Sequence, residues 1–358
     1  MDRLLTAILA TTTLAGAFTG TALAQDTEKV FFLLPNTTTI RFESRDAPFF
    51  IEAMREKAPN AEVIVYNGEG DPARQQRLME DAIAQGADVI LLTSTDANLA
   101  AGSLQTAEAA GVPVVLYDHD AVGGKAEAHV VFDSLSVGQA QGQRAAELIS
   151  AMEKTPVKVA RVKGNQGEYG TGQYEKGQDE FLQPLIESGK VEVVCEQYTQ
   201  NWDPVQAQAF AEDCLTRNNG DVDVFLGMND GTTGGSVAAL ITQGYQPGEK
   251  LVTGGQDATV EALRYIAQGW QDNSVLKDLK VEATYAADVV ASILAGNGVP
   301  QDLVNGVVNN DYMDVPAVFL PVSNITLDNL GDVVTAGVWT WAEICQGIES
   351  TEVCQQNL

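Results

Sequence analysis

Short apolar runs alternate with amphipathic segments along most of this 358-residue chain. The run at 30–34 (VFFLL) is followed by helical spacing at 48–57, and a second run at 62–66 by helical spacing at 74–85. Continuously apolar strands are buried on both faces, and helices between parallel strands provide that cover. The pattern therefore predicts an α/β fold. Further strands of the first unit are predicted at 88–92, 114–117 and 130–132.

The same pattern starts again after residue 156, so we expect two similar α/β units. No low-complexity linker separates them, which indicates lobes joined by several chain crossings. The tail 311–358 has one predicted strand, at 315–322, and weaker patterning. Predicted strands of the second unit are 157–162, 191–194, 222–226, 251–253 and 274–276, and predicted helices are 174–187, 205–217, 234–243, 258–268 and 281–296.

The first 24 residues have the pattern of a secretory signal peptide. Arg3 precedes an Ala/Leu/Thr-rich stretch, and Ala22-Leu23-Ala24 matches a small-x-small cleavage site. The segment is short and weakly apolar for a membrane anchor, which is the alternative interpretation. No cysteine follows the cleavage site, so a lipoprotein anchor is not favoured. We expect a mature protein that is free in the periplasm.

The chain is strongly acidic, with a net charge of −28 and a pI near 4.2. Such a surface repels phosphate groups, so nucleic acid and anionic lipid are not expected partners. The simplest interpretation is that the negative charge keeps the protein soluble.

Four cysteines, Cys195, Cys214, Cys345 and Cys354, face an oxidising compartment after export. Three pairings are possible, and the local pairing, Cys195–Cys214 with Cys345–Cys354, is favoured. A catalytic cysteine would need a nearby histidine, and the only histidines are far away in sequence. We therefore expect structural disulfides.

Polar side chains gather after the predicted strands, where open parallel sheets bind ligands. Carboxylates, amides and cations together satisfy sugar hydroxyls, which donate and accept, while an aromatic ring covers the apolar sugar face. Single members have an alternative role as helix caps, notably Asp118, Asn229 and Asp230. The set comprises Asn36, Arg41, Glu43, Arg45, Thr93, Ser94, Asp96, Asp118, His119, Asp120, Asn165, Glu168, Trp202, Asn229, Asp230, Gln256, Asp257 and Lys277.

Several motifs resemble the D-xylose-binding branch of the ribose-binding-like (type I) periplasmic binding proteins of ABC sugar importers. Lys277 follows Asp257 by twenty residues, as in that family, and the resemblance covers most of residues 29–330. The motifs are Ile40-Arg41-Phe42-Glu43, Tyr117-Asp118, Phe132-Asp133, Asn201-Trp202-Asp203-Pro204, Asn229-Asp230-Gly231-Thr232, Gly255-Gln256-Asp257-Ala258 and Asp314-Val315-Pro316.

The resemblance implies two Rossmann-like lobes joined by three crossover segments. It places the N-terminal lobe at 28–133 plus 278–310 and the C-terminal lobe at 134–277 plus 311–358. A monosaccharide would bind between the lobes and be delivered to ABC transporter permease subunits by a monomeric protein. The resemblance implies that six residues contact the sugar: Arg41, Asp118, Trp202, Asn229, Asp257 and Lys277. Together with Phe42, Glu43, His119, Glu168 and Tyr169, they form the predicted set of eleven ligand-binding residues.

Three positions depart from the xylose-binding pattern. His119 stands where the family has arginine, Ser44-Arg45 replaces an aromatic residue, and Glu168-Tyr169-Gly170 replaces an Asp-Asn-Asn loop. Tyr169 offers a replacement stacking surface. Because of these departures, the sequence does not identify the ligand. The alternatives are xylose-like pentoses, hexoses and polyols such as inositol.

Other functional classes are less well supported. No dinucleotide-binding, ATP-binding or G-x-S-x-G motif is present, and His119 and His129 lack partners at metal-binding spacing, so no cofactor or metal is expected. The many carboxylates keep a glycoside-processing enzyme as an alternative. A sugar-sensing gene regulator is disfavoured by the export signal and the lack of a basic helix-turn-helix. We expect a binding protein and no catalytic residue.

Overall fold

Thirteen strands form three sheets in residues 27–358, which are the residues that the computed structural model describes. The predicted signal peptide, 1–24, lies outside them. The strands are β1 (Lys29–Leu34), β2 (Glu62–Asn67), β3 (Val89–Leu92), β4 (Val114–Tyr117), β5 (Ala128–Phe132), β6 (Val157–Lys163), β7 (Val191–Tyr198), β8 (Val224–Gly227), β9 (Leu251–Gly254), β10 (Asn273–Lys277), β11 (Gly306–Asn309), β12 (Asp314–Leu320) and β13 (Val322–Thr326).

Helices follow most of these strands, and local capping sets where they begin. Asp71, Asp133 and Asp203 each accept a hydrogen bond from a backbone N–H of the helix that follows, which stabilises that helix start. The helices are α1 (Ala47–Lys57), α2 (Pro72–Ala84), α3 (Ala101–Ala110), α4 (Ser134–Ala151), α5 (Tyr169–Glu187), α6 (Pro204–Arg217), α7 (Asp230–Thr242), α8 (Val260–Gln268), α9 (Leu279–Leu294), α10 (Asp332–Thr335), α11 (Trp341–Cys345) and α12 (Glu352–Asn357).

The predicted parallel sheets are present, with antiparallel additions from the end of the chain. The first sheet has the order β11-β12-β5-β4-β3-β1-β2, and only β11 runs antiparallel to its neighbour. The second has the order β7-β6-β8-β9 and is parallel. β10 pairs with β13 in antiparallel register and continues the second sheet through a bridge between Gln256 and Val275.

The chain crosses between the two lobes three times, after β5, after β10 and after β12. The placement of residues 311–320 in the C-terminal lobe is wrong, because β12 pairs with β5 in the first sheet, with Ala317 opposite His129. The tail therefore returns to the C-terminal lobe only at β13. The other limits of the lobes stay predictions.

α4 was not predicted, because its Gly- and Gln-containing sequence lacks a clear apolar stripe. Its glycines allow α4 and α5 to approach backbone to backbone. A Cβ at Gly138 would lie 2.3 Å from the carbonyl oxygen of Tyr174, and one at Gly142 would lie 2.7 Å from the Cα of Gln178. This contact fixes the first turns of α5, which carry Tyr174 toward the space between the lobes.

Both predicted disulfides are confirmed. Cys195 is bonded to Cys214, joining β7 to α6, and Cys345 is bonded to Cys354 in the C-terminal tail. Among the described residues, no helix is both long and apolar enough to span a membrane.

Candidate functional site

The carboxyl ends of the two sheets face each other across a cleft with about 520 Å³ of space, its open mouth included. Ten of the eleven predicted ligand-binding residues line this cleft: Arg41, Phe42, Asp118, His119, Glu168, Tyr169, Trp202, Asn229, Asp257 and Lys277.

Glu43 is the predicted residue that the structure places elsewhere. It lies in a π-helical turn, Phe42–Asp46, with its side chain exposed and accepting a hydrogen bond from Asn67 Nδ2 at 2.9 Å. A π-helical turn contains one residue more than an α-helical turn. In this turn Arg41 and Phe42 point into the cleft, and Glu43 points away from it. The prediction that Glu43 contacts a ligand in this cleft is therefore wrong in this arrangement of the lobes.

Two buried cations link the lobes at the base of the cleft. Arg41 of the N-terminal lobe places Nη2 2.7 Å from Asp118 Oδ2 and donates from Nη1 to Asp257 Oδ1 of the C-terminal lobe at 3.1 Å. Lys277 of the C-terminal lobe donates from Nζ to Asp118 Oδ1 at 2.9 Å. Burial alone would raise the pKa of Asp118, but Arg41 and Lys277 hold it well below its usual value. Asp118 is therefore ionised beside the two cations.

Behind Arg41 lie two buried carboxyl groups that do not line the cleft. Asp46 Oδ2 is 3.4 Å from Arg41 Nε, and Glu282 Oε2 is 3.8 Å from Arg41 Nη2. Tyr117 donates to Asp46 at 2.6 Å. Burial raises the pKa of Asp46 to about 6, against the opposing effect of Arg41, and raises that of Glu282 well above its usual value. The two carboxyl groups surround the buried side of the guanidinium. Glu282 was missed because it lies in a predicted helix, and Asp46 because it gave no signal of its own just before one.

Three cleft residues have a left-handed backbone. The φ angle is 56° at Asp118, 91° at Asp257 and 55° at Trp202. Asp118 and Asp257 each donate a backbone hydrogen bond to a neighbouring strand, to Val130 and Val275. Such backbone is costly for residues other than glycine and is concentrated at functional sites. It turns these side chains from the strand ends into the cleft.

The indole of Trp202 is held by the loop after β6. Its Nε1 donates to Glu168 Oε2 at 2.9 Å, and Glu168 Oε1 accepts from Asn165 Nδ2 at 2.8 Å. The backbone N–H of Asn201 donates to Asn165 Oδ1 at 3.0 Å. A Cβ at Gly164 would lie 1.9 Å from the indole ring, so only glycine fits beneath it. Both oxygens of Glu168 are thus engaged in placing the ring.

His119 lies at the mouth of the cleft, where the xylose-binding pattern has arginine. Its Nδ1 is 2.8 Å from the carbonyl oxygen of Ser94, which makes Nδ1 the protonated nitrogen because a carbonyl only accepts. Its Nε2 is 3.7 Å from Asp118 Oδ2, and the ring meets Phe42 edge to face with centroids 5.4 Å apart. Nε2 is therefore directed toward the acidic side of the cleft.

Asn229 combines both of the roles considered for it. Its Oδ1 accepts from the backbone N–H of Thr232 at 2.8 Å and caps α7, while the residue also lines the cleft. Because the oxygen is engaged, the amide N–H groups remain for a ligand. Tyr169, half-exposed at 51%, stands at the mouth and begins α5.

Other lining residues were not among the predicted binders. Tyr174 lies inside a predicted helix and gave no signal of its own, whereas Ser94, Asp120 and Gln256 were in the set of polar residues after strands. The additional lining residues are Thr39, Ser94, Ala97, Asp120, Ser134, Gly170, Tyr174 and Gln256. Within residues 27–358, no cluster of three His, Cys, Asp or Glu side chains is arranged to hold a metal ion.

Several curated proteins are similar to this chain in sequence. The chain is 27% identical to the D-xylose-binding periplasmic protein of Escherichia coli over 290 residues, covering 81% of this chain and 84% of that protein. It is 28% identical to the protein of the same name from Haemophilus influenzae, with the same coverage of 81% and 84%. It is 26% identical to the multiple sugar-binding periplasmic receptor of Rhizobium radiobacter, covering 75% of this chain and 79% of that receptor.

Solved structures show the same fold. An ABC transporter solute-binding protein from Clostridium phytofermentans with bound β-D-glucose aligns with a TM-score of 0.80 at 22% identity, covering 88% of this chain and 100% of that one. The Caulobacter myo-inositol-binding protein aligns with a TM-score of 0.70 at 20% identity, covering 88% and 98%. The predicted two-lobed type I architecture is confirmed.

The family model described as "Periplasmic binding protein domain" matches residues 30–298, well over half of the chain. The predicted resemblance to periplasmic sugar-binding proteins is therefore confirmed. The chain belongs to the periplasmic binding protein domain family.

Proposed function

We propose that this protein captures a monosaccharide between its two lobes in the periplasm and delivers it to an ABC importer. One observation carries the proposal: Arg41 and Lys277, from opposite lobes, are both paired with Asp118, and Arg41 also with Asp257, at the base of the cleft between the lobes. Closing the lobes brings these donors and acceptors together. A polyhydroxylated ligand that bonds to both lobes would stabilise the closed arrangement over the open one.

Each cleft residue has a proposed part in holding the sugar. Asp118 and Asp257 accept from ring hydroxyls through oxygen lone pairs that the cations leave free, and Asn229 donates through its amide. Arg41 and Lys277 donate charge-assisted hydrogen bonds. Trp202 stacks against a C–H face of the ring, with Phe42 on the N-terminal side. The names of curated relatives, a D-xylose-binding protein and a multiple sugar-binding receptor, support a sugar as the ligand.

The geometry supports binding without catalysis. Glycoside hydrolysis needs one carboxylic acid that protonates the leaving group and one free carboxylate beside the scissile bond. Asp118 and Asp257 are each paired with cations, and both oxygens of Glu168 accept hydrogen bonds from Trp202 and Asn165. These three carboxyl groups are not free to protonate a leaving group, and Asp120, which also lines the cleft, lies 3.6 Å from His129 Nδ1. We therefore favour a solute-binding protein over a glycoside-processing enzyme.

Export, partners and oligomeric state follow from the same proposal. The pattern at residues 1–24 and the periplasmic relatives support cleavage after Ala24 and a periplasmic location. We propose a monomer that presents its closed form to the permease subunits of an ABC importer.

A ligand screen tests this function. Thermal unfolding of the mature protein with single pentoses, hexoses and inositols will identify ligands, because binding to the folded state raises the midpoint temperature. We expect at least one monosaccharide or polyol to raise it in a concentration-dependent manner. Incubation of the protein with glycosides provides the second arm, in which product formation would favour the enzyme. No shift with any sugar or polyol would contradict the proposal.

A further inference from the structure

A second, larger space adjoins the sugar cleft on one side. It contains about 1010 Å³, part of it open to solvent, and we call it the side groove. Its walls come from both lobes, so it has this shape only when the lobes are closed. Six apolar side chains define it: Ile40, Val205, Val260, Tyr265, Leu279 and Trp339.

The side groove is continuous with the cleft. Four residues, Thr39, Arg41, Asn229 and Asp257, line both spaces and form the partition between them. One part of the partition is the ion pair of Arg41 and Asp257, with 3.1 Å between Nη1 and Oδ1. The other part lies between Thr39 and Asn229, whose side chains make no hydrogen bond to each other in the described chain. A substituent on a cleft-bound sugar would pass between these two side chains to reach the groove.

The floor of the groove is kept open by small residues of α7. Gly231, Gly234 and Ala238 line it, and a Cβ at Gly234 would meet only Tyr265 Cε2, at 3.5 Å. At the rim, Ile40 is 64% exposed and Val205 is 70% exposed. Exposed apolar side chains grouped around a concave space indicate a binding surface.

The polar groups of the groove are engaged with one another. Tyr265 donates to Glu261 Oε1 at 3.0 Å, and Gln208 donates to Glu212 Oε1 at 2.8 Å. Asp230 accepts from Ser274 Oγ and from the backbone N–H of Thr259, both at 2.6 Å. A second sugar ring would find few free hydrogen-bonding groups here, whereas an apolar group needs no hydrogen bonds from the groove.

We propose that the side groove binds an apolar aglycone, so that the protein accepts aryl or alkyl glycosides whose sugar ring occupies the cleft. This inference rests on the proposed function and adds a ligand class to it. The sugar supplies the polar contacts to Asp118, Asp257 and Lys277, and the aglycone supplies apolar burial against α7 and Trp339. Burial of a phenyl group in such a groove tightens binding by about tenfold or more.

Calorimetric titration of the mature protein with D-xylose, D-glucose and their phenyl α- and β-glycosides tests the inference. We expect one phenyl glycoside to bind at least about tenfold more tightly than its parent sugar. Gly234→Leu fills the groove and favours the helix. It is expected to abolish this ratio of affinities, phenyl glycoside to parent sugar, while the affinity for the parent sugar stays within about twofold of the wild-type value. Ala238→Leu, one turn further along, repeats the test in case the first variant folds poorly.

Gly172→Leu is the matched control, since Gly172 is exposed in α5 and a Cβ added there would meet no atom within 4 Å. It should leave both affinities unchanged. Two results would overturn the aglycone site and leave sugar capture intact. In one, every phenyl glycoside binds more weakly than its parent sugar; in the other, the tighter binding of the phenyl glycoside persists in both groove variants. An altered oligomeric state of Gly234→Leu in light scattering with no change in the ratio would assign the groove to a second copy instead. Absence of binding by all sugars and glycosides rejects both proposals.

Discussion

Lys277, the last residue of β10 in the C-terminal lobe, donates a hydrogen bond of 2.9 Å to Asp118, which follows β4 in the N-terminal lobe. Both side chains are buried, with exposed fractions of 4% and 6%. The charges of one lobe are therefore neutralised by the other lobe when the cleft is closed. In the proposed function, ligand capture and lobe closure therefore depend on the same residues.

Lys277→Met removes the amine from this pair while preserving much of its volume. Because Asp118 loses one of its cations in a buried site, we expect a loss of about 3–5 kcal/mol from the closed arrangement. Sugar affinity is expected to fall by at least about a hundredfold, measured by calorimetry. Lys158→Met, which breaks an exposed pair with Asp221, is the control and should leave the affinity unchanged. Equal affinities for the wild type and Lys277→Met would refute this role of the pair.

Gly164→Ala tests how Trp202 is placed. The added Cβ would overlap the indole ring, so the ring must leave its hydrogen bond with Glu168. We expect a cost of about 1–3 kcal/mol in the free energy of unfolding and a more than tenfold loss of sugar affinity. The nuclear magnetic resonance signal of the Trp202 indole N–H should shift. Gly172→Ala is the control; an unshifted indole signal in Gly164→Ala would show that Gly164 does not support the ring.

Arg45 connects the lobes outside the cleft. Its guanidinium lies 3.8 Å from the centre of the Trp339 ring, and its Nη2 is 2.5 Å from Glu343 Oε1 in the C-terminal tail. Arg45→Ala should weaken closure by about 1 kcal/mol, which corresponds to a roughly fivefold faster release of sugar in stopped-flow fluorescence. Arg55→Ala, in α1, serves as the control. A release rate that does not change would mean that this contact adds nothing to closure.

The buried carboxyl group of Asp230 should make the free energy of unfolding depend on pH. Burial, followed by the charge of Asp257, raises its pKa to about 8 from a usual value of 3.8. The folded state therefore binds the proton more tightly than the unfolded state, and this contribution to stability is fully present below about pH 4 and is lost as the pH rises to about 8. Asp230→Asn keeps an oxygen that accepts from the Thr259 N–H, and its amide N–H can donate to Ser274 Oγ, without a charge.

We expect the stability of Asp230→Asn, relative to the wild type, to increase steadily between about pH 4 and pH 8 in denaturant unfolding. Asp221→Asn is the control, because two lysines lower the pKa of the exposed Asp221 to about 2, and its effect should be constant over that range. A difference between Asp230→Asn and the wild type that does not vary with pH would contradict the shifted ionisation.

The sequence predicted most of the fold and most of the cleft because both follow from local signals. Continuous apolar runs identified β1 and β3, and polar residues after strands identified Asp118, Asp257 and Lys277. α4 was missed because its packing against α5 depends on glycines rather than on an apolar stripe. β12 was assigned to the wrong lobe because strand pairing over almost 190 residues leaves no local pattern.

The orientation of single side chains was the least predictable part of the site. Glu43 follows Phe42 directly, yet the π-helical turn directs it outward. Glu168 lines the cleft but has both oxygens hydrogen-bonded, to Asn165 and Trp202, so it positions the indole and offers no free carboxylate oxygen to the cleft. Such details depend on backbone geometry and on partners distant in sequence.

Calorimetric titration of the wild type and Asp257→Ala with the monosaccharide that gives the largest thermal shift tests the central claim most directly. Asp257 contacts Arg41 across the cleft and lines the proposed sugar site. We predict one sugar per protein molecule for the wild type and no measurable binding for Asp257→Ala, with the variant still folded in circular dichroism. Unchanged affinity in a folded Asp257→Ala would contradict the assignment of this cleft as the sugar site.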